Sequence, residues 1–114
     1  MRSALFLKKD VSTSQDLSTG ALSYTTSFAR KFKLEQIVIH FSQAVSETIT
    51  ITLDSALGAN YDTVLQAVTL VSETDFVYRP QGEANYQNDD EIKIQCTNAN
   101  LVGICYVHIK TSEV

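Results

Sequence analysis

Two histidines, His40 and His108, and two cysteines, Cys96 and Cys105, are the residues of this 114-residue chain best suited to proton transfer or nucleophilic attack near neutral pH. Such chemistry needs a nucleophile and a base on one face of the fold, within hydrogen-bond reach. Cys105 and His108 lie three residues apart in Leu101 to Lys110, a run that alternates like a strand. An odd separation puts them on opposite faces. His40 sits between Ile39 and Phe41, which the same alternation turns inward, so both imidazoles are expected at the surface. No G-x-S-x-G elbow supplies a serine nucleophile. The chain therefore reads as a non-enzyme, with no catalytic residue assigned.

The thiols offer a disulfide only if their Cα atoms come within about 7 Å. A tight turn over Thr97 to Asn100 would leave Cys105 two or three residues out of step with Cys96, so reduced, buried thiols are expected. Metal signatures such as H-E-x-x-H, C-x-x-C and the EF-hand spacing are absent. Asp89, Asp90 and Glu91, beside Asn88, would offer oxygen ligands to calcium if Asn60 and Asp62 came near, but turn capping explains the same residues. Four scattered glycines make no phosphate loop, and no cofactor is implied. Arg30, Lys31 and Lys33 with Phe28 and Phe32 are a faint nucleic-acid pattern that the acidic remainder of the chain opposes. Tyr61, Tyr86 and Tyr106 keep a sugar platform open as an alternative, although tryptophan is absent.

The elements that would position these residues are strands. Ile37, Ile39 and Phe41, then Ile49, Ile51 and Leu53, fall at every second position, with Thr48, Thr50 and Thr52 between the second set. The link from Ser42 to Glu47 is short enough to return the chain as an antiparallel neighbour, provided the two runs pair directly. Phe32 and Leu34 have the opposite parity to Ile37, so a bulge at Glu35 and Gln36 is required to keep both sets inward. Ala21 to Ala29, Thr63 to Val71 and Asp75 to Tyr78 read as further strands. A final hairpin pairs Glu91 to Thr97 with Leu101 to Lys110, turning inward Ile92, Ile94 and Cys96, then Cys105, Val107 and Ile109, with Gly103 at a bulge or close approach. The expected class is all-β: an antiparallel β-sandwich or jelly roll of about seven or eight strands. Residues 1–20, polar after the short apolar island Ala4 to Leu7, are expected as an N-terminal arm, and residues 21–114 as the sandwich domain.

Hydrophobic residues at 44% and charged residues at 19% are ordinary for a globular chain. No run reaches the roughly 20 apolar residues that span a bilayer, and MRSALFLKKD is too short for a secretory signal, so use in a cytoplasm is expected. The net charge of -4 is uneven: residues 1–33 set six basic residues against Asp10 and Asp16 for +4, and the remainder is -8. Arg2, Lys8, Lys9, Arg30, Lys31 and Lys33 form a basic leading segment that an acidic body attracts.

GANYDTVL (Gly58 to Leu65), DFVYRP (Asp75 to Pro80) and NDDEIKIQCTN (Asn88 to Asn98) resemble a group of small virion structural proteins of tailed bacteriophages and prophages. The similarity runs from about Phe32 to the end; here the acidic turn lacks the glycine expected before its aspartate. The resemblance implies a capsid decoration or cement subunit, or a small neck or tail component, assembled in the host cytoplasm into the virion. It implies a homo-oligomer that contacts other virion proteins, and neither nucleic acid nor membrane as partner. The six basic residues of the leading segment are then the expected contact residues, lying on a neighbour's acidic body or on the capsid lattice. A carbohydrate-binding or host-attachment module is the alternative.

Overall fold

The computed structural model describes residues 8–28, 31–81, 85–87 and 89–113, without the side chains of Lys8, Lys9, Asn85 and Glu113. Nine strands account for most of it: β1 (Lys8–Asp16), β2 (Leu22–Ser27), β3 (Phe32–Val45), β4 (Thr48–Asp54), β5 (Thr63–Thr69), β6 (Glu73–Tyr78), the two-residue β7 (Asn85–Tyr86), β8 (Glu91–Cys96) and β9 (Ile104–Glu113). One sheet has the order β1-β9-β3-β6, with β7 beside the start of β3, and the other the order β2-β8-β4-β5. All pairings are antiparallel. Successive long strands alternate between the sheets except at β4 and β5, which makes the sandwich a jelly roll.

That alternation corrects two sequence expectations. The Ile37 and Ile49 runs are not neighbours: β3 continues through Val45, and Ser46 and Glu47 carry the chain across to the other sheet. The two apolar stripes thereby bury each other, which neighbours in one sheet cannot do. The expected hairpin of β8 and β9 is likewise a crossing between sheets. Both thiols are free and buried, as expected, but for a different reason: they approach through the core from opposite sheets rather than lying out of step along one. The hydrogen bond with Cys96, and then burial, push the Cys105 thiol well above the ordinary range.

The predicted bulge is present. On β9, Thr111 faces Leu34 and Lys110 faces Gln36, so Glu35 has no residue opposite. The extra residue shifts parity, and Phe32, Leu34, Ile37, Ile39 and Phe41 are all buried. They join Ile49, Ile51, Ile92, Ile94, Val107 and Ile109 in one core.

The arm is corrected as well. Residues 1–7 lie outside the described residues, but Lys8–Asp16 is an edge strand paired with β9 from Lys8↔Ser112 to Asp16↔Ile104. Leu17 is fully buried, and Val11 packs against the core. β9 would otherwise present a row of unpaired N–H and C=O groups, and β1 satisfies them.

Candidate interaction surface

Strand direction sorts the connections into two groups, one at each end of the sandwich. The first comprises the links β1–β2, β3–β4, β5–β6 and β8–β9, and Glu47 organises it. Flanked by Ser46 and Thr48, Glu47 reads in sequence as a linker acid, yet it is only 1% exposed. Its Oε1 accepts the Thr97 hydroxyl at 2.7 Å and the Ala99 N–H at 2.9 Å, and its Oε2 accepts the Asn100 N–H at 2.8 Å. Ser46 extends the network, donating its N–H to Asn100 Oδ1 and accepting the Ser72 N–H on its hydroxyl. The Leu70 N–H donates to the Glu47 carbonyl, and the Leu17 N–H to that of Gly103. Four connections thus meet here: the buried Glu47 carboxyl group joins β3–β4 to β8–β9, and bonds to the Glu47 carbonyl, the Ser46 hydroxyl and the Gly103 carbonyl bring in β5–β6 and β1–β2.

This network holds apolar side chains in water. Val71 is 71% exposed and Leu101 58%, with Val102 beside it. Leu101 and the neighbouring Ser72 have φ of 56° and 51°, left-handed values that cost a side-chain-bearing residue about 1 kcal/mol or more each. Gly103, at φ 83°, also approaches β3: a Cβ there would meet Gln43 Cγ at 3.2 Å. Backbone strain beneath an exposed leucine is a fold cost with no return in the fold's own core. Sequence reasoning missed this end because Glu47 and NAN look like ordinary turn polarity; its pattern exists only once four distant connections meet.

The opposite end has its own buried acid. Asp90, 5% exposed, accepts the Ala56 N–H at 2.9 Å and the Gln87 N–H at 2.9 Å on its two oxygens. Asp62 accepts the Ser55 N–H. These carboxyls cap turns, the reading the sequence favoured over calcium. Of the basic residues read as contacts, Arg2 and Arg30 lie outside the described residues. Lys8 and Lys33 flank Ser112 in one row of the first sheet, two strand spacings or about 10 Å apart, and Lys9 and Lys31 fall at the same end. Phe28 and Phe32 are buried with ring centroids 4.1 Å apart, so neither can stack on a base. The tyrosines do not converge. Tyr61 projects from the β4–β5 connection, Tyr106 from the outer face of the other sheet, and Tyr86 packs against Phe32.

Both imidazoles face outward, as parity required. His40 Nδ1 lies 2.7 Å from Asp75 Oδ1 and the ring stacks on Tyr106; His108 Nδ1 lies 2.7 Å from Ser12 Oγ, with Nε2 3.6 Å from Asp10. The His40 bond, then that from Thr74, holds the Asp75 carboxyl below its ordinary value. Ser12, His108 and Asp10 are on an open sheet face, on the edge strand β1 and its neighbour β9. The cleft of about 430 Å³ between β5 and β6, lined by Leu65, Gln66, Phe76, Tyr78 and Arg79 among others, contains neither histidine.

No protein-family model matches the chain, and no curated protein matches it. Solved structures do. PirA superposes with a TM-score of 0.53 at 11% identity, over 90% of this chain and 92% of PirA. The chain shares that fold. A chain from the infectious bursal disease virus Gx strain gives 0.51 at 11% identity, over 95% of this chain but 32% of the viral one, so this chain spans about a third of that protein's length.

Proposed function

We propose that this chain is a non-enzymatic structural subunit of a tailed-phage virion, a capsid decoration or cement protein or a head–tail accessory, acting through protein–protein contacts. The observation that carries the reading is the Glu47 end, where strained, hydrogen-bonded loops hold Val71, Leu101 and Val102 in solvent. A surface held rigid before contact loses little entropy on contact, which suits a subunit that docks on a lattice. The jelly roll is a fold that capsid proteins use, and the likeness to the bursal disease virus chain is in keeping with that. The sugar-binding alternative has less support, since its three tyrosines lie apart. Co-expression with the major capsid protein of the same phage, followed by sedimentation of the particles, tests the proposal. The subunit is expected to sediment with capsids and to be lost from them in a Leu101→Asp variant. Absence from particles combined with a positive glycan array would overturn it.

A further inference from the structure

The chain has two cysteines, and the fold brings them together from opposite sheets. Cys96 ends β8, between Leu22 of β2 and Ile49 of β4, and Cys105 is the second residue of β9, between Gln15 of β1 and Phe41 of β3. Both side chains are buried in the same core. Their sulfurs are hydrogen-bonded in series: the Cys105 thiol donates to Cys96 Sγ, and the Cys96 thiol donates to the Thr97 carbonyl at 3.4 Å. The bond from Cys105, opposed by burial and the Glu47 charge, holds the Cys96 thiol below its ordinary range. The thiolate, which is the reactive form, therefore appears on Cys96 first.

We propose that Cys96 and Cys105 are a latent inter-sheet disulfide, closed by a small peroxide. Thiols already in hydrogen-bond contact need only close to the S–S bond length of about 2 Å, within reach of side-chain rotation. Hydrogen peroxide transfers one oxygen to the Cys96 thiolate, giving a sulfenic acid and hydroxide. The Cys105 sulfur then attacks that of Cys96: the S–S bond forms, the S–O bond breaks, and the oxygen leaves as water with the Cys105 proton. The two thiols lose two electrons between them and the peroxide gains them. Cys96 lies beside Thr97, which bonds to Glu47, so opening of the β8–β9 connection admits the peroxide. The bridge encloses Thr97 to Ile104 and pins both ends of the connection that holds Leu101 in its left-handed conformation. It would form whether or not the chain is a virion subunit.

Treating the folded full chain with hydrogen peroxide, then alkylating it with iodoacetamide in urea, tests this. Both cysteines are expected to be alkylated before oxidation, neither after it, and both again once dithiothreitol has been added. Non-reducing electrophoresis should show a monomer throughout. The oxidised chain is expected to unfold at a higher urea midpoint than the reduced one, because the cross-link restricts the unfolded state. Cys96→Ser and Cys105→Ser should each gain nothing in midpoint from the oxidant. Should either variant fail to fold, the wild-type chain before and after oxidation still decides. Four results would each overturn the latent disulfide: thiols that survive the peroxide, a sulfinic acid that dithiothreitol does not reverse, a bridge between chains, and a bridge that forms only in urea. A bridged chain with a lowered midpoint would do so too, since the native sheets would then not admit the bond.

Discussion

The two ends of this jelly roll solve one problem with the same device and put it to different uses. At each, a nearly buried acid gathers backbone N–H groups from another connection: Glu47 from Ala99 and Asn100, and Asp90 from Ala56, together with Gln87 of its own turn. Neither loop system has enough apolar surface to pack by itself, and a carboxyl group with two oxygens can satisfy donors that would otherwise compete for water. The difference lies around the acids. Glu47 also holds the Thr97 hydroxyl and supports a strained loop with an exposed leucine, while Asp90, flanked by Asp89 and Glu91, holds the turn that carries the exposed Leu57. A shared anchoring chemistry thus leaves the outer surfaces free to diverge.

The β3 bulge lies toward the Asp90 end, and breaking it should have the largest effect. Deleting Glu35 forces either Phe32 and Leu34 or the Ile37 set outward; exposing two large side chains costs about 3 to 6 kcal/mol, read as a lowered urea midpoint or failure to fold. Glu47→Ala comes next, with a loss of about 3 kcal/mol in urea unfolding as three hydrogen bonds disappear. Glu47→Gln should lose less, because only one oxygen becomes a donor. If Glu47→Ala were neutral, the tied-end description would be wrong. Asp90→Ala removes two bonds and should cost about 2 kcal/mol, so the order of the two alanine variants measures which end is held more firmly.

The smallest effect is a titration. Asp75 has its folded pKa lowered from 3.8, chiefly by His40, so this pairing favours the fold above 3.8 and that contribution is lost as pH falls through the lower folded value. In carboxyl NMR the Asp75 resonance should titrate below 3.8, and His40→Leu should move it back up. An unmoved midpoint would show that His40 does not hold the carboxylate.

Much of the strand chemistry was legible from residue order. The Glu35 bulge followed from a parity conflict between Leu34 and Ile37, and the outward histidines followed from their inward neighbours. The first strand was not legible: hydroxyls dominate KKDVSTSQD and the set Val11, Thr13, Gln15 and Leu17 is only half apolar, so the segment reads as an arm. That segment becomes a strand because β9 leaves an edge for it to pair with, a fact no local pattern contains.

Side-chain direction in a strand is set by the pleat, with a period of two, so the sequence determined by itself which face of each run would be buried. Partnership between strands depends on contacts far apart in the chain, and a two-residue link such as Ser46 and Glu47 serves a crossing between sheets as well as a turn within one. Tertiary structure alone therefore decided that β3 faces β4 rather than pairing with it. The same decision brought Glu47 beneath Thr97, Ala99 and Asn100, turning a linker acid into the anchor of the candidate surface.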